Sequence, residues 1–245
     1  LELSLHAAAE WSEDAEALAR CRAAIAQADI IVATMLFMEE HIAAVLPALA
    51  ARAEQCDALV GCLSAGEVIR LTRLGRFRLD GSERGPLALL KRLRGAKKDK
   101  EGGSAGAQQM AMLRRLPQIL RFIPGTAQDV RAYFLALQYW LAGSDENVAN
   151  LVRLLVDRYA DGPRRALRGR LKVGAPSEYP EVGLYHPRLK GRIAERPERL
   201  PAGRGEAGTV GLLVMRSYVL AGNTAHYDGV IAALEARGLR VIPAF

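Results

Sequence analysis

The residues that constrain this chain most are Ile30-Ile31-Val32-Ala33-Thr34-Met35-Leu36-Phe37. The run is short, continuous and β-branched at its start, which suits a strand buried on both faces. Asp57 to Leu63 is a second run of that kind. Helix-length stretches flank both. Residues 13–27 carry Ala, Leu, Cys and Ile at helical spacing, and residues 40–55 predict a second helix with a kink or a start near Pro47. Ser64-Ala65-Gly66-Glu67 reads as a capping box, in which the serine and the glutamate each satisfy a free amide. It would open a helix to about Leu74, closed by Gly75. Residues 1–6 alternate apolar and polar, as a half-buried strand would.

Strands alternating with helices over residues 1–80 predict an α/β fold: a parallel, flavodoxin-like sheet with right-handed crossovers. We take 1–80 as the C-terminal part of an N-terminal α/β domain. Residues 81–107, rich in Gly, Ser and Lys, read as a basic flexible linker or surface loop. A helical middle region follows over 108–160, with helices expected at 108–122, 126–141 and 145–160. Thr126-Ala127-Gln128-Asp129 resembles a second capping box, Gly143 closes the middle helix and Ser144 caps the third. Tyr133, Phe134, Tyr139 and Trp140 spread around the middle helix, which fits core packing better than an aromatic cofactor box. Residues 161–208 lack a period and hold six of the eleven prolines, so they read as a long irregular segment. Thr209 to Met215 is a strand, a helix runs from Asn223 or Thr224 to about Arg237, and Leu239 to Phe245 is the next strand. This βαβ unit, 209–245, starts a second α/β domain.

No stretch reaches 18 uninterrupted apolar residues, so a membrane span is not expected. Cys21, Cys56 and Cys62 show no paired or zinc-like spacing, which predicts buried, reduced thiols and a cytoplasmic location. The net charge of +7 concentrates between Arg84 and Lys100. That run lacks interleaved aromatics and reads as a solvated linker rather than a nucleic-acid site. Both ends read as strands without a tail, as in a piece of something longer.

Ligands of an open parallel sheet collect beyond the carboxyl ends of its strands. Two loops qualify. One is Phe37-Met38-Glu39-Glu40-His41, where Glu39 and His41 could act as metal ligands or proton carriers. Acidic residues there are equally explained by the dipole of a starting helix. The other runs from Arg216-Ser217-Tyr218 to His226-Tyr227-Asp228, where Arg216 could grip a carboxylate in a bidentate geometry. Gly222-Asn223-Thr224 carries no phosphate-cradling glycine pattern, so nucleotide binding is not indicated. Tyr185-His186-Pro187 sits in the irregular segment, and a histidine before proline is more often a turn or packing residue than a ligand.

Several stretches, in order along nearly the whole chain, resemble the large subunits of magnesium chelatases and, more distantly, of cobalt chelatases. They include Asp29 to Glu40, Glu67-Val68-Ile69-Arg70-Leu71-Thr72-Arg73-Leu74-Gly75, Arg114-Arg115-Leu116-Pro117 and Gln138-Tyr139-Trp140-Leu141-Ala142-Gly143-Ser144. Others are Leu184-Tyr185-His186-Pro187, Arg216-Ser217-Tyr218, His226-Tyr227 and Leu234-Glu235-Ala236-Arg237-Gly238. The wording is closest to the bacteriochlorophyll-pathway form. The resemblance implies a subunit that binds protoporphyrin IX, with Mg²⁺ and the porphyrin as substrates. It implies ATP hydrolysis by AAA+ motor subunits as partners, and the remainder of its own polypeptide as a further partner. By matching position it nominates His186, Arg216, Tyr218 and His226 on the porphyrin side. Most of the main chelatase region would lie beyond Phe245, so activity of this chain alone is not expected. A scaffold that docks the motor subunits is the competing expectation.

Overall fold

A computed structural model describes residues 2–79, 115–201 and 205–245. The expected linker at 81–107, its basic run and the start of the helix at 108–122 lie outside the described residues. The chain divides into two compact units. One holds Leu1–Gln138 and Leu151–Gly174, the other Tyr139–Asn150 and Ala175–Phe245.

In the first unit, helix α1 (Ala15–Gln27) is capped by Asp14, whose carboxylate accepts from the Glu16 amide. Strand β1 (Ile30–Thr34), helix α2 (Glu39–Ala53) and strand β2 (Ala58–Cys62) follow, and β1 and β2 pair in parallel with Ile31 opposite Leu59. Helix α2 passes through Pro47 without a break. Cys21, Ile25, Ile31, Ala33, Val45, Leu49 and Leu59 form the core between sheet and helices. All of β2 is buried, as a strand covered on both faces should be. The three cysteines are free and buried, and burial pushes their thiols up from the ordinary range.

The stretch after β2 departs from the sequence reading. Ser64 does not cap a helix: its hydroxyl accepts from the Leu36 amide and donates to the Cys62 carbonyl, tying the ends of β1 and β2 together. Helix α3 covers only Gly66–Arg70, and the chain then forms a hairpin of β3 (Arg73–Leu74) and β4 (Phe77–Arg78). The sheet order is therefore β1-β2-β3-β4, with one parallel pair and two antiparallel ones. Thr72 decides this. Its buried hydroxyl accepts from the Gly61 amide at 3.0 Å and donates to the Gly61 carbonyl at 3.2 Å, extending the ladder where a helix would have turned away. Gly75 is the turn of that hairpin, at φ +55, rather than a helix stop. Residues 2–6 are exposed and form no strand. Their alternation lacks a partner among the described residues.

A helical segment covers 115–120, followed by α4 (Thr126–Ala142) and α5 (Asp145–Tyr159). Tyr133, Phe134 and Tyr139 are buried, as core packing requires. The second expected capping box works differently. The Gln128 amide donates to the carbonyls of Leu120, Arg121 and Ile123, closing the preceding helical segment. The Asp129 carboxylate accepts from the Arg76 amide and the Tyr159 hydroxyl. A Cβ on Gly75 would meet that carboxylate at 2.7 Å. Gly143 closes α4 at φ +65, and Ser144 accepts from the Asn147 amide as the cap of α5.

In the second unit, β5 (Leu184–Tyr185), β6 (Ile193–Ala194), β7 (Thr209–Leu213) and β8 (Arg240–Ala244) order as β6-β5-β8-β7. Strands β7 and β8 are parallel, joined through α6 (Arg216–Leu220) and α7 (Ala225–Glu235). One sheet face packs Tyr185, Leu212 and Val241 against Val219 and Ile231. On the other, Leu184, Ile242 and Ala244 meet Leu200 and Leu189.

Thr72→Val should lower stability by about 1–3 kcal/mol, because the buried Gly61 amide loses its acceptor. Urea denaturation would read that loss, and Thr72→Ser should retain most of the wild-type value.

Candidate functional site

The carboxyl end of β7 gathers exposed apolar and aromatic side chains. The Val214 amide still pairs with the Ala244 carbonyl, and then the chain turns. The Met215 amide donates to the Tyr227 hydroxyl at 3.0 Å, so the first turns of α6 and α7 are held beside each other. Tyr218 meets His226 edge-on with ring centroids 5.4 Å apart, and His226 lies 3.9 Å from Tyr227. Tyr218 remains 41% exposed and Met215 59% exposed, and His226 is exposed as well. Leu213, at the last position of the strand, is 88% exposed. Water-facing groups of this kind in one place mark a surface that meets something apolar.

Arg216 opens α6 beside this cluster, but its guanidinium is engaged. Nε donates to the Pro180 carbonyl at 2.8 Å and a terminal nitrogen to the Tyr179 carbonyl at 3.2 Å. Asn147 anchors the same segment at Ser177, accepting from its amide and donating to its carbonyl. Arg216 thus lays the segment 177–180 alongside the loop.

His186 lies apart from that cluster. It is 2% exposed, with Nε2 3.2 Å from the Glu235 carboxylate and Nδ1 accepting from the Arg188 amide. An accepting Nδ1 leaves the proton on Nε2, which donates to Glu235. Glu235 ends α7 whereas His226 starts it, a separation of about 13 Å along the helix. Arg188 pairs with the same carboxylate at 2.6 Å. At the other end of α7, Asp228 accepts from the Tyr185 hydroxyl and faces the Thr224 hydroxyl at 3.4 Å, while Arg192 donates to Thr224. Burial and the Asp228 carboxylate push the Tyr185 phenol up. Neighbouring residues Tyr185 and His186 therefore clamp both ends of one helix.

The loop after β1 is the other strand-end site. Glu39 is exposed at the start of α2, and His41 packs edge-on against Trp11 at 5.8 Å. No group of three or more His, Cys, Asp or Glu side chains suited to a metal occurs among the described residues. Met35, Phe37 and Met38 are exposed there. Met35 and Leu63, one residue beyond β1 and β2, hold φ +60 and +47, and the Met35 amide donates to the Leu63 carbonyl. Left-handed backbone at two non-glycine residues is strain concentrated at a strand-end loop.

The sequence reading put Arg216, Tyr218 and His226 in one loop; the structure places Arg216 and Tyr218 on α6 and His226 in the first turn of α7, with Tyr218 and His226 in edge-on contact. It gave no role to Tyr227, whose hydroxyl fixes Met215, and it placed Met215 inside the strand, which ends at Leu213. The signal was available in the heptapeptide Leu213 to Val219: an arginine and a tyrosine close behind an apolar strand mark where the strand stops.

Residues 1–134 match the family model described as a domain of unknown function, DUF3479, and residues 137–245 match the CobN/Magnesium Chelatase model. The chain belongs to the first of these families, whose model spans more than half of it. A magnesium-chelatase subunit of Cereibacter sphaeroides is 54% identical over all of this chain, and that of Rhodobacter capsulatus is 49% identical over the same span. The chloroplastic magnesium-chelatase protein ChlH of Oryza sativa subsp. indica is 30% identical over 90% of the chain. The chain spans 20% of the length of each bacterial relative. The solved catalytic subunit of cobaltochelatase from Mycobacterium tuberculosis is similar over 95% of this chain and 13% of its own, at 18% identity and a TM-score of 0.41. The resemblance to magnesium-chelatase subunits holds along the whole chain.

The folded chain keeps Tyr185 protonated beyond the pH at which an unfolded tyrosine ionises. Unfolded chain then binds fewer protons than folded chain, so stability should be level near neutrality and fall as pH rises past about 10. Thermal melts across that range should show a shallower alkaline fall in Tyr185→Phe than in wild type.

Proposed function

We propose that this chain is part of a subunit that holds protoporphyrin IX while Mg²⁺ is inserted, and that the loop after β7 forms part of its tetrapyrrole-facing surface. The observation that carries this reading is the grouping of exposed Met215, Tyr218 and His226 at the carboxyl end of a parallel strand. A tetrapyrrole is a wide, flat, apolar ring with carboxylates on one edge. A tyrosine and a thioether suit such a ring, since both offer polarisable, apolar contact area. The His226 imidazole can accept a proton, and the reaction releases two from the pyrrole nitrogens. Arg216 acts as a positioning residue in this reading, because it fixes the neighbouring segment through two carbonyls. His186 supports from a distance, by fixing the far end of the helix that starts at His226.

Mg²⁺ is a substrate of the whole subunit here. It gives up its water reluctantly, which is why insertion would draw on ATP hydrolysed by AAA+ partner subunits. Nothing in the chain's Gly222-Asn223-Thr224 turn suits a phosphate. Three buried, free cysteines fit a reducing cytoplasm, and no described helix is long and apolar enough to cross a membrane. A second reading, docking of partner subunits, is favoured by exposed Met35, Phe37 and Met38 at the end of β1.

Fluorescence quenching with a soluble protoporphyrin analogue tests the proposal. The chain should saturate, and Tyr218→Ala/His226→Ala should weaken binding by at least about tenfold, or roughly 1.4 kcal/mol. Met35→Ser/Phe37→Ser should leave binding unchanged. Binding that ignores the first pair would remove the loop after β7 from the tetrapyrrole surface and leave docking as the reading.

A further inference from the structure

Strand β7 has the composition of an inner strand and the position of an outer one. Its sequence, Thr209-Val210-Gly211-Leu212-Leu213, carries no charge and no proline. Strands left at an edge are usually blunted by charge, proline, a bulge or a covering segment, since their open amides and carbonyls recruit other strands. Among the described residues β7 pairs only with β8 and ends the sheet order.

The direction of its free groups follows from the ladder. The Arg240 amide donates to the Gly208 carbonyl, and the Val214 amide donates to the Ala244 carbonyl. Residues 208, 210, 212 and 214 therefore point their backbone groups at β8. Alternation then turns the amides and carbonyls of Thr209, Gly211 and Leu213 to the open side. A Cβ added at Gly211 would meet nothing within 4 Å, and Leu213 is 88% exposed. One sheet face is covered at β7 by α6 and α7, through Leu212 and Val219. The opposite face there, at Gly211 and Leu213, is uncovered by any of the described residues.

We propose that the open edge of β7 receives a further β-strand from the same, longer polypeptide, and that this strand's connection covers Leu213. The relatives supply the length: this chain spans only 20% of each bacterial subunit. A strand on that edge would make β7 an inner strand, in keeping with its composition. It would also put the Met215–Tyr218 loop between two strand ends, at a topological switch point, the crevice where open α/β sheets bind ligands. The inference stands on the edge geometry and does not require that the ligand be a tetrapyrrole.

Hydrogen exchange read residue by residue separates the outcomes. In this chain the amides of Thr209, Gly211 and Leu213 should exchange quickly while those of Val210, Leu212 and Val214 are protected. In the full-length Cereibacter sphaeroides protein the equivalents of the first set should be slowed by on the order of 100-fold or more. Leu213→Lys should leave the melting temperature of this chain unchanged and lower that of the full-length protein at the equivalent position. Equally fast exchange in the full-length protein would overturn the proposal. So would protection in this chain that grows with its concentration, which would make a second copy the occupant.

Discussion

A polypeptide segment without a hydrophobic period must still find a partner for each buried amide and carbonyl, and the second unit depends on how its side chains meet that demand. Between Ala175 and Tyr185 there is no helix and no long strand. Asn147 holds Ser177 by both backbone groups, Arg216 holds the carbonyls of Tyr179 and Pro180, and Tyr185 and His186 then reach the two ends of α7. Asp228, Ile231 and Glu235 lie on one stripe of that helix, at spacings of three and four. The middle position is apolar and buried, and the outer two are bound by hydrogen bonds. The helix that carries His226 is thereby fixed in position and rotation by Tyr185, at the end of β5, and by His186, just beyond it.

Much of this arrangement was legible in the amino-acid sequence. Continuous apolar runs specify β1 and β2, although only β2 is buried at every residue, while β1 alternates buried and half-buried positions. The βαβ unit of β7, α7 and β8 was equally clear from period and from Gly238. The hairpin at β3 and β4 was not. Residues 66–74 have a helical appearance, and what ends the helix at Arg70 is a hydrogen bond from Thr72 to a strand eleven residues earlier. Such a partner has no local signature. Ser64 and Asp129 misled for the same reason: serine and aspartate serve caps and long-range anchors with identical chemistry, and only the neighbours decide.

The candidate site shows the same division. That Arg216, Tyr218 and His226 gather beyond one strand end follows from their place behind that strand. That Arg216 spends its donors on two carbonyls, and His186 its ring on Glu235 and Arg188, depends on a segment with no pattern to read. Of the four residues that the resemblance nominates on the porphyrin side, Tyr218 and His226 present exposed side chains. The loop after β1 offers the rival surface, with two methionines and a phenylalanine over strained backbone. Both loops lie at the carboxyl ends of parallel strands, so topology alone does not choose between them. The aromatic grouping and the imidazole favour the loop after β7 for a flat, proton-releasing ring.

Methyl-labelled NMR with a diamagnetic protoporphyrin analogue tests that choice most directly, since a macrocycle's ring current shifts any methyl group beneath it. The account predicts that the Met215 methyl resonance moves on titration, together with the ring protons of Tyr218 and His226, while those of Met35 and Met38 stay in place. Movement of Met35 and Met38 with Met215 unchanged would contradict it.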